Sequence, residues 1–582
     1  MGRRTSMTDP LGNITQWTYN RLGHVTKVTD ARGHETSVSY NALGKTERVT
    51  APDGAQTSFQ YDALGQLTGT TDSLGRESLF HYDRVGRMKE IIDALGNSSM
   101  YVYNKAGEVV EATEPTGGTT RYEYDGLGMP IKVINALGGT ETLEYDPLGR
   151  VVRSMDSRGA ATEYTYDGLG QLLGTMDALG HETSYTYDAS GQVASMRDAL
   201  GNSIHIEYDG LGRPVKTTDR RGYTSYMAYN DESNVTKFIQ QDGGVMLTER
   251  DALDRVVRIT DPLGRSSRWT YNQTGDPTRY LDALGYEQSW EYDESGRVIR
   301  AVDARGQAMQ YAYDLAGNRV KETNALGESY AYIYDPLNRV KEIIAPNGGH
   351  IRNEFREDGQ VIRQQDAEGG IWSMDYDVLG RMTTRTNPLG EQVRYAYNET
   401  GLVVQETDEA GASTLFDYDL LGRIVQQEDA GNGKWTYEYD ELGRMISNVD
   451  PLNAAYSFKY DEEGNVLSET DPLGRVRQYT YDPMNRLADA EDSLGYQTRW
   501  NYDKAGNVRK VTDALGRSVQ FDYDRLNRLT RQTTPSGSET RFEYDQAGNR
   551  TAVIDPLQRR TEYHYDPLNR LKSVVDAAGH TT

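Results

Sequence analysis

Six kinds of side chain in this sequence have chemistry to offer, and their spacing limits what it is. The eight histidines (His24, His34, His81, His181, His205, His350, His564 and His580) are scattered, and no two sit at a metal-ligand spacing. Cysteine is absent. That excludes disulfides, thiolate zinc sites, iron–sulfur clusters and a cysteine nucleophile. Residue types leave a Ser–His–Asp arrangement open, but there is no G-x-S-x-G elbow to present the serine. Aspartates recur beside glycines, as in calcium β-rolls, yet neither the glycine-rich nonapeptides nor an EF-hand loop is present. Trp269, Trp290 and Trp500 stand among alternating aromatics that could stack on sugars. Arg stands at twelve regular places, each directly after a recurring Gly or the Asn or Asp that replaces it, Arg87, Arg150, Arg297, Arg423 and Arg570 among them, and would make a basic stripe. Glycosylation sequons at Asn13, Asn97, Asn234, Asn272 and Asn398 suit surface positions. Nothing here assembles a catalytic, cofactor-binding or metal site, and the chain is expected not to be an enzyme.

Composition narrows the partners. The 582 residues carry 63 basic and 88 acidic side chains, a net charge of −25, so a phosphate backbone would be repelled and nucleic acid is not an expected partner. No apolar run approaches the ~18 residues of a membrane span. The opening MGRRTSMTDP has no apolar stretch behind it, so no signal peptide is visible. Hydrophobic residues make up 36%, too few for several thick cores, while Gly (59) and Tyr (42) are in excess.

The excesses have one cause. Tyr followed by Asp or Asn recurs with a period of 21 from Tyr19, Tyr40 and Tyr61 to Tyr565; 25 of the 27 places are Tyr, and Arg250 and Phe355 are the exceptions. Two glycine registers share the period. The first runs from Gly12 to Gly579 and is broken only by Asn432, Asn453 and Gln558. The second runs from Gly23, four residues after each Tyr, and is broken by Ser233, Asp254, Asn338, Asn485, Asn527 and Asn569. Asn and Asp tolerate positive φ best among non-glycine residues, so these rows predict a left-handed residue at every turn. Asp at the first, Pro often at the second and Gly at the fourth place (Asp146–Gly149, Asp261–Gly264, Asp471–Gly474) predicts type I turns closed by a G1 bulge. Six or seven residues remain between turns, a strand length. Aromatics alternate with polar residues before most of these Tyr (Tyr164/Tyr166, Trp290/Tyr292, Trp500/Tyr502), which is a strand period. Three heptads also make 21, but two glycines per unit would cost a helix about 1 kcal/mol each. The leucine-rich-repeat pattern is missing as well. The expectation is all-β: about 27 hairpins and 55 strands in one continuous array spanning residues 1–582.

So many strands twist and must wind into a shell or tube. In that setting the aromatics are expected to pack across strands, at about 0.2–1 kcal/mol per pair. The aspartates are expected to bond turn N–H groups, and the Arg row to pair with acids on neighbouring strands or turns. Arg250 and Phe355 read as drift.

The unit Y-D-x-x-G-R, as in Tyr208–Arg213 and Tyr439–Arg444, resembles the YD repeat of Rhs-family proteins, which includes insecticidal toxin-complex C components and teneurins. The resemblance covers essentially the whole chain. It implies a spiralling β-sheet shell or cocoon, and in bacterial relatives a shell that encloses a C-terminal toxin and helps deliver it from the cell. Partners so implied are that toxin as cargo and secretion spike or adaptor proteins. The alternative is a cell-surface adhesion or carbohydrate-binding module, with glycans as partners. The family's core segment and toxin are absent, and Gly2, one full period before Gly23, places the opening inside a repeat. The chain is therefore expected to be a stretch of a longer shell, secreted or delivered to a cell surface. Its exposed end strands are expected to be adhesive.

Overall fold

The computed structural model describes residues 3–582, and Gly2 lies outside them. The described residues form 55 strands and no helix, so no helix is long and apolar enough to cross a membrane. The strands run from β1 (Ser6–Thr8) to β55 (Leu571–Val575), and each is antiparallel to its successor in the chain. Six-residue strands ending in the repeat Tyr alternate with five-residue strands, as in β2 (Ile14–Tyr19), β3 (Val25–Thr29) and β4 (Glu35–Tyr40). They are slightly shorter than expected because each turn takes five residues: the Gly N–H bonds the Asp carbonyl, and the Asp N–H bonds the carbonyl of the residue after Gly (Gly65 to Asp62, Asp62 to Gln66, both 3.0 Å).

The glycine rows are the backbone's left-handed residues. All 46 described register glycines have φ between +74° and +99°. The nine non-glycine residues at positive φ are the nine exceptions to the two rows, including Gln558 at +62°. Arg250 and Phe355 leave the strand register undisturbed: Arg250 pairs with Val256 and Phe355 with Val361, as Tyr does elsewhere.

The sheet winds upon itself. Ser157 donates to the Glu399 carbonyl, 242 residues further along the chain. Arg305 donates to the Pro567 carbonyl, 262 residues further along. These separations bracket twelve repeats, so one coil is about 24 strands and the chain makes just over two coils. At ~4.8 Å per strand, the perimeter is about 115 Å and the midline diameter about 37 Å; with a wall about 10 Å thick, a bore of about 27 Å remains.

The wall is one sheet thick. The chain exposes 32627 Å², against about 20,600 Å² for a compact monomer of its mass. Among the described residues Val393 and Ala552 are the buried hydrophobics, and no large side chain is fully buried. A filled interior would bury one face of every strand. Here the aromatic face is half-buried and the polar face exposed, strand after strand.

Candidate functional site

Two sets of contacts make the wall. The first joins each repeat to the next. The Tyr hydroxyl donates to the main-chain carbonyl fifteen residues earlier, near the start of the preceding repeat's five-residue strand. Twenty-four of the 25 register tyrosines do this, at 2.5–3.1 Å. Each such bond contributes about 0.5–1.5 kcal/mol. Burial pushes the Tyr418 and Tyr439 phenols up, so the neutral donor is the form the fold holds.

The Arg row completes this lock. Arg150 illustrates it. Its Nε donates to Asp146 of its own turn (2.7 Å), its Nη1 to the Asp167 carbonyl in the next repeat (3.1 Å), and its guanidinium lies 4.7 Å from the Tyr166 ring. The eleven row arginines followed by another repeat all stack this way, at 4.5–5.0 Å. The planar, forked guanidinium serves carboxylate, carbonyl and ring together, which an ammonium cannot. Acid pairing was legible from the sequence; stacking on the next Tyr was not. The aromatic ladder differs from expectation too. Among the described residues only His24–Tyr40 and Trp269–Tyr280 are ring pairs, because the residues opposite the aromatics are mostly aliphatic or Thr (Trp17 faces Val28, Tyr164 faces Thr175, Trp500 faces Val511). Where Phe355 lacks the hydroxyl, Arg339 still stacks at 4.5 Å, and Asn353 donates to the orphaned Val340 carbonyl at 3.0 Å.

The turn aspartates bond backbone. Asp146 accepts the N–H groups of Leu148 and Arg150 as well as the Arg150 side chain. Those bonds, the Arg150 N–H foremost, hold its carboxyl below the usual range; in Asp209 the Arg213 side chain leads.

The second set of contacts is a seam between coils. First-register turns of one coil meet second-register turns of the coil that follows, about twelve repeats later. Arg221 and Arg305 donate to the carbonyls of Asp482 and Asp566 at 3.0 and 3.1 Å. Arg297 pairs with Asp53 at 2.8 Å and Arg486 with Asp242 at 3.4 Å. Gly118 lies against this seam; a Cβ there would sit 3.0 Å from the Val378 carbonyl oxygen. These seam residues were missed from sequence, although a signal existed. Seven first-register turns carry a charge at their third place, where Leu is usual, and six of them (Arg32, Asp53, Arg158, Arg221, Asp242 and Arg305) fall in the stretch that a later coil covers. All six reach that coil.

The remaining candidates are dispersed. His34, His181 and His580 lie beside the Asp of their own turns, and His24 stands in the Arg row. Among the described residues no three His, Asp or Glu side chains converge as a metal site. His81 and Ser98 do meet at Glu90, at 2.8 and 2.7 Å, and these bonds, His81 foremost, hold the Glu90 carboxyl below its usual range. The carboxylate stands between them, so the imidazole does not contact the hydroxyl as a nucleophile's base must. Trp269, Trp290 and Trp500 are half-buried on the aromatic face. The Asn side chains of the sequons at Asn13, Asn97 and Asn272 bond turn aspartates at 2.8–2.9 Å.

The repeat lock and the wound sheet agree with known families. The teneurin YD-shell model matches residues 75–261 and 224–416. The RHS repeat model matches 2–35, 40–77, 418–455, 460–497, 502–539, 523–560 and 544–581. The chain belongs to the Rhs/YD-repeat shell family. No curated protein sequence matches it. Among solved structures, this YD shell is similar to a TcdB2-TccC3 crystal structure lacking the hypervariable C-terminal region, with 12% identity over 99% of this chain and 42% of that one, and a TM-score of 0.65. A TcdB2-TccC3-Cdc42 structure has 13% identity over 97% of this chain and 39% of that one, with a TM-score of 0.57. A Photorhabdus luminescens Tc holotoxin pore has 12% identity over 98% and 42%, with a TM-score of 0.52. These likenesses are of fold, and the YD shell described here spans about two fifths of each neighbour's length.

Proposed function

We propose that this chain is a structural, non-enzymatic container wall: the encapsulating shell of an Rhs-type polymorphic toxin, which sequesters a toxin segment and helps deliver it from the producing cell. One observation carries the reading. The sheet closes on itself every twelve repeats while exposing over half as much surface again as a compact protein of its mass. Such a wall surrounds a space. The mechanism is steric: a polypeptide in a bore of about 27 Å cannot reach its target until it leaves. The Tyr and Arg locks keep the wall closed without a thick core. Delivery would bring secretion spike or adaptor proteins as further partners, and would place the protein outside the cell.

The test fuses a short, protease-labile domain after Thr582. Digestion at least tenfold slower than that of the same domain alone is the expected result. Equal rates would refute enclosure.

A further inference from the structure

Two pairs of arginines face each other directly across the strand ladder, and the wall treats them differently. Arg531 on β51 (Leu529–Thr533) faces Arg541 on β52 (Glu539–Tyr544). Arg258 on β25 (Val256–Thr260) faces Arg268 on β26 (Ser266–Tyr271). Like charges directly opposite repel. In the first pair Glu539 answers the repulsion, accepting from Arg531 Nη1 at 3.1 Å and from Arg541 Nη2 at 2.9 Å. Ser266 holds the same place beside the second pair: Glu539 faces Thr533, and Ser266 faces Thr260. The remaining acid is matched, Asp522 on Arg531 and Glu249 on Arg258. The second pair therefore lacks one carboxylate, and its donors show the lack. Arg258 Nη2 donates to the Ser266 hydroxyl at 3.0 Å, and its Nε–H is buried without a partner. Arg268 is exposed and has no ion-pair partner among the described residues, since the nearby Glu249 and Glu287 are taken by Arg258 and Arg279.

A cavity of about 460 Å³ opens at this pair, on the seam between two coils. Arg258, Ser266 and Arg268 line it from the sheet, Arg265 and Asp282 from first-register turns, and Arg525 from the following coil. Arg525 is exposed and unpaired, because Asp524 beside it is held by Arg528. Arg265 is occupied by Asp261, and its Nη1 donates to the Asp524 carbonyl, the contact that brings Arg525 to the sheet arginines. Asp282 accepts the Leu284 and Tyr286 N–H groups, both at 2.9 Å. Four guanidiniums thus line the cavity with one carboxylate, on a chain of net charge −25. Guanidinium forks match phosphoryl oxygens, and the volume is that of a small-ligand site. We propose that this cavity binds a dianionic phosphoryl group, free or carried on a small molecule. Its oxygens take the place that Glu539 fills at the other pair, and Arg525 matches the second charge. The site lies between two coils of one chain and belongs to the wall, whatever the wall encloses.

Calorimetric titration of the full chain with inorganic phosphate, glucose 6-phosphate, acetate and glucose, at low salt, tests this. Both phosphates are expected to bind saturably at one per chain, acetate at least tenfold more weakly, and glucose not at all. Tighter binding of the ester marks a phosphorylated molecule as the occupant, and equal binding the free anion. Ser266→Glu supplies the missing carboxylate and is expected to abolish binding. Arg268→Gln with Arg525→Gln is expected to weaken it at least tenfold; both sites are exposed, so this variant decides the matter if Ser266→Glu does not fold. Ser518→Glu makes the same charge change at the same strand position on β50 (Ser518–Tyr523), where Ser518 bonds Thr512 as Ser266 bonds Thr260, and is expected to keep wild-type affinity. Circular dichroism and melting check folding. No saturable binding by wild type, undiminished binding in folded Ser266→Glu or in the arginine variant, an equal loss in Ser518→Glu, or acetate bound as tightly as phosphate would each overturn the proposal.

Discussion

Asp261–Arg265 and Asp471–Arg475 are the same five residues, Asp-Pro-Leu-Gly-Arg, in two places on one wall. Their local structures coincide. Leu263 and Leu473 N–H groups bond their Asp at 2.9 Å, both Arg Nε atoms bond it at 2.6 Å, and the glycines have φ of +78° and +75°. Their surroundings do not coincide. The Arg265 side chain is 10% exposed and bonded to the Asp524 carbonyl at 3.3 Å; the Arg475 side chain is 63% exposed and touches no other coil. The pentapeptide determines the turn, and the coil number determines what the turn touches. Local chemistry and long-range closure are therefore separable in this molecule, and each can be broken alone.

The largest effect should erase the comparison. Asp83, Asp146 and Asp209 are held below their usual range chiefly by turn N–H groups and Arg side chains. A depressed folded pKa contributes stability that is present above the unfolded value of about 3.9 and is lost as pH falls through the folded values. Asp72 and Asp156 in seam turns and Asp471 and Asp513 in the rim turns of the last coil are held below their usual range as well, so hydrogen-exchange protection factors should fall together in seam and rim turns below about pH 4, and stay flat from pH 5 to 7. At the alkaline end the raised tyrosines reverse the sign. Their contribution is full below about 10 and is lost as pH rises past it.

Next come substitutions that separate the two sites. Arg265→Glu removes the carbonyl bond and sets a carboxylate beside the Asp524 oxygen, at a cost of about 2–4 kcal/mol. Arg475→Glu should cost less than about 0.5 kcal/mol in the monomer. Denaturant midpoints of the two variants make the comparison, and equal losses would contradict the seam. Gly118→Val should cost about 1–3 kcal/mol, because the Cβ meets the Val378 carbonyl of the other coil.

The smallest effects lie within one repeat. Tyr418→Phe should cost about 1 kcal/mol for one lost hydroxyl bond. Asn353→Ala should cost about the same, since Asn353 stands in for the hydroxyl that Phe355 lacks. Phe355→Tyr combined with Asn353→Ala should restore the loss; thermal melts of the three variants read the exchange.

The repeat itself was almost wholly legible. The nine exceptions to the glycine rows anticipate the nine non-glycine residues at positive φ, since a backbone need limits substitution to residues that tolerate it. The Asp role was legible for the same local reason. The coil was not. Twelve repeats per coil result from a small rotation summed over 24 strands, and no single residue records it. Hence Arg265 and Arg475 are indistinguishable by sequence. The charged third-place residues Arg32 to Arg305 do carry the seam, but their meaning depends on knowing which repeats are covered. From sequence Phe355 reads as drift and Asn353 carries no signal, because the Val340 carbonyl that Asn353 bonds lies in the preceding repeat.

Electron cryomicroscopy of the monomeric chain tests the wound, empty wall most directly. The expected image is a tube with about twelve hairpins per coil and a low-density bore of about 27 Å. A solid rod, an open ribbon, or a coil of clearly different repeat number would contradict it.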